Sequence, residues 1–176
     1  MHHVTVNNDY ATNATMTFRE LLDYTAEETL KWRHWFNTQP SNILELRFGD
    51  GNLATVRMLL QHIVVVERRY ADRLLNDPIT PYEAVALNSS EVIFEFWVDA
   101  RGRLERYLAQ ASNDDLALRL DFPTRSAGIQ TASARKIVAH ALVHGVRHFA
   151  QLTTSLRQQG HRTDWFHDML FSKALS

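Results

Sequence analysis

Four stretches of the chain repeat apolar residues at the three-to-four spacing of an amphipathic helix, and polar punctuation separates them. The first opens on Thr17-Phe18-Arg19-Glu20, which has the form of a capping box, and carries Phe18, Leu21, Thr25, Trp32 and Phe36 to one side before Pro40. A polar connector with a turn at Gly49-Asp50-Gly51 leads to the second, from about Asn52 or Ala54 to Asn76. Its inner stripe is Val56, Leu59, His62, Ile63, Val66, Tyr70 and Leu74. The third runs from a cap at Ser89 or Ser90 to about Ala111, with Ile93, Phe96, Trp97, Ala100, Leu104 and Tyr107 on its apolar face. The fourth starts at Ser133 and stops at Gly160, in the C′ position. Between the third and fourth, residues 116–122 alternate apolar and polar. That period predicts a short strand ended by Pro123, with Gly128-Ile129-Gln130-Thr131 as its return. The pattern predicts an all-α fold: an antiparallel four-helix bundle with a small hairpin before the fourth helix.

Residues 1–15 show no apolar period and read as a disordered leader, with Met16 as an alternative start. Residues 16–176 read as a single domain. The tail holds Trp165, Phe166, Met169, Leu170 and Phe171, and is expected to form a short helix against the bundle or a second subunit.

The sharpest chemistry lies in the fourth helix. His140, His144 and His148 recur every four residues, drifting only about 40° per step, so the three imidazoles line one face. Gln151 falls on the same arc. Buried imidazoles need something to accept or ligate their nitrogens, and a metal ion does so. His62 is the one polar interruption of the second helix's inner stripe, and in a bundle it can meet the histidines of the fourth. Glu67, about 140° from His62 around the wheel, reads as a rim residue, and Arg101 and Arg103 as solvated flanks of the third stripe. His34 also falls outside its stripe and reads as solvated.

Composition narrows the field. With 19 Lys and Arg against 20 Asp and Glu, the formal charge is −1, so no basic surplus points to nucleic acid. No apolar run is long enough for a membrane span, and the N-terminus lacks the pattern of a signal peptide, so a cytoplasmic location is expected. The absence of cysteine excludes disulfides, thiolate ligands and a cysteine nucleophile of the chain's own.

Leu59-Leu60-Gln61-His62 with Glu67-Arg68 in the second helix, and His140-x3-His144-x3-His148-x2-Gln151 with Leu156-Arg157-x2-Gly160 in the fourth, resemble the DinB-like family of metalloenzymes in order, spacing and helical placement. The resemblance covers roughly residues 17–160. It implies that His62, His144 and His148 bind a divalent metal, that His140 is an upstream neighbour, and that Gln151 supports the ligands. It also implies a four-helix bundle with the site in a cleft, commonly a homodimer. The family often has Asn before its second ligand and Arg-Gly between the third ligand and the Gln; here Val143 and Phe149-Ala150 stand there, and the ligand positions are intact.

Three neutral imidazoles leave positions open for water and a small-molecule substrate, as in catalytic zinc sites. Zinc, nickel and iron all suit imidazole. The ion would activate water for hydrolysis or ionise a low-molecular-weight thiol cofactor. No carboxylate shares the ligand faces, which favours thiol-cofactor-dependent transfer over metal-dependent hydrolysis. His140 is the candidate proton shuttle. A non-catalytic protein whose ion clamps two helices is the remaining reading. Metal affinity is expected to fall as pH drops through the imidazole range.

Overall fold

The computed structural model describes residues 16–49, 51, 53–86, 88–124 and 127–174. The leader at 1–15, and the Asp50 and Asn52 positions of the predicted connector and helix start, lie outside the described residues.

Four long helices pack together, and local sequence signals set their ends. Helix α1 (Phe18–Thr38) starts at the reciprocal capping box: Glu20 N–H donates to Thr17 Oγ1, and Thr17 N–H donates to Glu20 Oε2 at 2.7 Å. A 3₁₀ turn (Ser41–Glu45) buries Ile43 and Leu44, so the connector predicted to be polar carries two core residues. Helix α2 (Val56–Leu74) is capped by Thr55 and α3 (Ser90–Gln110) by Ser89, each side-chain oxygen accepting from the third residue on.

The segment after α3 departs from the predicted strand at 116–122. Ser112 and Asp115 form a second capping box, and residues Asn113–Ala117 turn into the short helix α4. Strand β1 therefore shifts to Arg119–Thr124 and pairs antiparallel with β2 (Gly128–Ser133), with Phe122 opposite Gln130. Pro123 lies inside β1 rather than ending it, which a two-stranded ribbon with a free outer edge tolerates. Phe122 and Ala132 pack with Ile137, Tyr70 and Leu74, fixing the hairpin over the α2 side of the bundle.

Helix α5 (Ala134–Gln158) begins at Ser133 and ends in a Schellman motif. His161 N–H donates to Leu156 O at 2.9 Å and Gly160 N–H to Arg157 O at 3.2 Å, while Gly160 takes φ 87°. The left-handed turn there suits glycine because it lacks a Cβ.

The core centres on Trp32, which has no exposed surface, stacks on Phe149 at 5.3 Å between centroids, and meets Trp165 edge-on at 5.2 Å. Trp165 and His167 belong to the tail, which is pinned by Glu28: its carboxylate accepts from Trp165 Nε1 at 3.2 Å and lies 3.1 Å from His167 Nδ1. The tail's regular structure is one 3₁₀ turn (Met169–Phe171), and Phe166, Leu170 and Phe171 remain exposed.

Two charged residues read as solvated or rim groups, Glu67 and Arg101, are buried, and a third, Arg103, is half-buried. Arg101 Nε donates to Glu67 Oε1 at 2.7 Å and Nη2 to Oε2 at 3.2 Å, while Nη1 donates to Leu22 O and Thr25 Oγ1. This bidentate pair ties α1, α2 and α3 inside the bundle. Arg103 is half-buried and pairs with Asp72, itself fully buried, and with Asp77. Each charge leaves water because an opposite charge on a neighbouring helix meets it, which a single helical wheel cannot register. Among the described residues, no helix is long and apolar enough to cross a membrane.

Candidate metal centre

Helix α5 turns Ile137, Val138, Ala141, Leu142, Phe149, Leu152 and Leu156 into the core. The histidine stripe runs along the border of that face, so His144 and His148 are half-buried and His140 is more open. Helix α2 packs against α5 and brings His62 to the same border. One ring nitrogen from each of His62, His144 and His148 can be chosen so that all three lie within 4.8 Å of one another. The ring centroids are 4.9 Å apart for His62–His144 and His62–His148, and 4.4 Å for His144–His148.

The donor set fits a divalent ion. His144 Nε2 and His148 Nε2 are 3.2 Å apart. Two nitrogens about 2.05 Å from one ion stand about 3.3 Å apart in tetrahedral geometry and about 2.9 Å apart in octahedral geometry. The observed edge falls between the two, and drawing in the widest pair takes a shift of about 1.5 Å or less.

Hydrogen bonds aim the rings. His148 Nδ1 lies 2.7 Å from Gln151 Oε1, so the amide oxygen accepts from Nδ1–H and leaves the Nε2 lone pair facing the cluster. His62 Nδ1 lies 3.5 Å from the Tyr82 hydroxyl. His144 Nδ1 is buried without a hydrogen-bond partner. An orphaned ring nitrogen costs about 1–3 kcal/mol, which ligation through the ring's other nitrogen would offset.

Burial disfavours the charged forms of His140, His144 and His148. Desolvation, followed by the nearby His148, His62, His140 and Arg147, pushes the His144 imidazole down to about 2. Burial also lowers His148, with the Gln151 hydrogen bond opposing it. His140 is lowered by burial first and then by Arg147 and Lys136. It stands apart from the cluster: its ring packs edge-on against Tyr70 at 5.2 Å and lies 5.5 Å from His144. Gln151 is at the exposed edge, and His34 is exposed on α1.

A cleft of about 760 Å³ opens beside the cluster, with His62, His140 and His144 in its wall. Sequence reading passed over its other functional groups: Arg69 and Arg73 from α2, Tyr82 from the 3₁₀ turn at Tyr82–Ala84, and Phe122 from β1. The signal for the arginines was present. Positions 69 and 73 lie seven and eleven residues after His62, within about 20° of it on the wheel. No signal for Tyr82 existed, since it arrives from a loop. Glu67 is not part of the site, its carboxylate being held by Arg101.

The chain thus carries a three-histidine cluster compatible with a divalent metal, at the head of an open cleft between two bundle helices. No curated protein matches the sequence. The sequence model of the DinB family matches residues 7–174, nearly the whole chain. With that match, and with four packed helices and a hairpin before the last, the chain belongs to the DinB family.

Proposed function

We propose that the protein is a metal-dependent enzyme in which His62, His144 and His148 hold a divalent ion, and that it catalyses thiol-cofactor-dependent transfer on a small molecule bound in the cleft. The observation that carries this reading is the convergence of three ring nitrogens within 4.8 Å at the head of a roomy cleft. A structural clamp would close its coordination shell with a fourth protein ligand. His140, the nearest further histidine, rests on Tyr70 instead.

When bound, such an ion supplies positive charge that lowers the pKa of a thiol or a water molecule. The chain's own residues do the rest. His144 and His148 offer lone pairs without a preceding deprotonation, because burial disfavours their charged forms. Gln151 fixes the His148 tautomer. His140 reaches the cleft wall with a neutral ring that can take a proton from a substrate and return it to solvent. Among the described residues no carboxylate joins the histidine cluster, which favours a thiol over water as nucleophile. Hydrolysis is the second reading, and Glu83 in the cleft wall is the carboxylate that favours it.

Metal analysis of protein purified without a nickel column, followed by turnover assays with and without low-molecular-weight thiols, tests the proposal. About one ion per chain and activity that depends on both metal and thiol are expected. Absence of bound metal after incubation with zinc, nickel and iron would sink it. Thiol-independent ester or amide cleavage would establish the hydrolytic reading.

A further inference from the structure

Two guanidinium groups stand in the cleft wall outside any ion pair among the described residues. Arg69 and Arg73 both line the cleft, one helical turn apart on the face of α2 that carries His62. Among the described residues neither forms an ion pair, whereas Arg33, Arg57, Arg68, Arg101 and Arg103 each do. Glu67, two residues before Arg69, is taken by Arg101, and Asp72, next to Arg73, by Arg68 and Arg103, so that its charge only partly offsets that of Arg73. Among the described residues that line the cleft Glu83 is the one carboxylate, and it is exposed.

Both side chains are nevertheless held in place. Arg69 donates from Nη1 to Thr80 O and lies over the Tyr82 ring at 5.1 Å. Arg73 donates from Nη1 to Arg69 O at 2.9 Å and sits 5.4 Å from the ring centres of both Tyr70 and Phe122. Carbonyl contacts and aromatic faces orient a guanidinium without neutralising it, and each fork keeps further N–H donors. The two cations also burden each other: burial and then the charge of Arg69 push Arg73 below the usual guanidinium range. A half-buried, pre-oriented cation pair without an ion-pair partner is the arrangement that recognises a planar or tetrahedral oxyanion.

We infer that Arg69 and Arg73 bind a carboxylate or phosphate group of the molecule that occupies the cleft, so that the substrate or cofactor of this site is an anion. The inference rests on the reading of the cleft as a substrate site. Along α2 the two arginines lie about 10 and 16 Å beyond His62. The ligand therefore carries its anionic group at a distance on the order of 10 Å from the end that reaches the histidines.

Calorimetric titration of the full chain at low salt, metal-free and zinc-loaded, with inorganic phosphate, succinate and neutral succinamide, tests this. The metal-free protein should bind phosphate or succinate, and the two arms tell which oxyanion fits. Succinamide should bind at least 10-fold more weakly. R69Q and R73Q should each weaken the anion about 10-fold and the double variant should abolish binding, with zinc uptake and melting temperature kept. R157Q on the exposed face of α5 should behave as the wild type. Should a Gln variant fail to fold, R69K and R73K keep the charge but lose the fork, and a several-fold loss of anion affinity is expected in each. Equal anion binding by wild type and double variant, or by succinamide and succinate, would overturn the inference. So would anion binding that appears only with zinc and survives both Gln substitutions. Loss of zinc binding in a protein that still needs Arg69 and Arg73 for the anion would instead sink the metal reading and leave this one standing.

Discussion

Nε2 of His144 lies 3.2 Å from Nε2 of His148, one helical turn further along α5. Because Gln151 accepts from Nδ1 of His148, the close contact is satisfied in the metal-free chain by His144 Nε2–H donating to the His148 lone pair. That assignment leaves His144 Nδ1 as an acceptor with nothing to accept. If His144 held a metal ion through Nε2, its ring proton would sit on Nδ1 instead. Holding a metal would then cost the pair a tautomer change and not an ionisation.

Ligand replacement follows from this geometry. His62→Ala, His144→Ala and His148→Ala should each lose metal at micromolar protein, read by metal analysis after dialysis. His140→Ala should keep it, since that ring rests on Tyr70. Gln151→Ala frees the His148 ring to turn, and affinity should fall by about 10–100-fold. His34→Ala and His161→Ala should match the wild type. Metal kept in His62→Ala but lost in His140→Ala would put the site on α5 alone.

The pH dependence has a defined sign. His144, His148 and His140 all have folded-state values below the ordinary one. Above pH about 6.5 the rings are neutral in both folded and unfolded chains and add no slope. As pH falls below that point the unfolded chain takes up more protons, so the metal-free protein should lose stability as pH falls from about 6.5 to about 5. Thermal melts of metal-free protein check it. For the same reason His144 and His148 should add nothing to a fall in metal affinity until the pH is below the ordinary imidazole range. Competition titrations at pH 8, 6.5 and 5.5 read this; a loss of affinity with a slope of more than one proton already at 6.5 would mean that His144 and His148 titrate as exposed imidazoles.

The Glu67–Arg101 pair should matter for stability and not for chemistry. Removing one partner leaves a buried charge unpaired, at a cost of about 3–5 kcal/mol. Arg101→Met or Glu67→Gln should lower the melting temperature by roughly 10 °C, while the double replacement by apolar residues recovers most of the loss. A change under about 2 °C in either single variant would mean that the pair is solvated in solution.

Phe166, Leu170 and Phe171 are exposed together on the tail, and Phe166 packs on Phe171 at 4.9 Å. We propose that this patch is covered in a homodimer. Light scattering at micromolar concentration should give about twice the chain's 20.4 kDa, and Phe166→Ser with Leu170→Ser should shift it to monomer. A wild-type monomer at high concentration would refute the proposal.

Much of the architecture was legible because it rests on local physics. Thr17, Ser89 and Ser133 cap their helices through bonds spanning three residues, and Gly160 ends α5 through its own backbone. The helical period alone put His140, His144, His148 and Gln151 on one face. The same local reasoning failed at 116–118, where the helix begun by the Ser112–Asp115 box outweighed a period-2 pattern too short to decide. What only the tertiary structure decided depends on groups brought together from distant positions. Glu67 and Arg101 are 34 residues apart in sequence, and their burial follows from their meeting. His62 joins His144 and His148 because α2 packs on α5, and it leaves His140 outside because that ring finds Tyr70. The cleft and its arginines need the hairpin and the loop at Tyr82 to form a wall. A wheel gives the direction in which each side chain points; the identity of what stands opposite is a property of the packed chain.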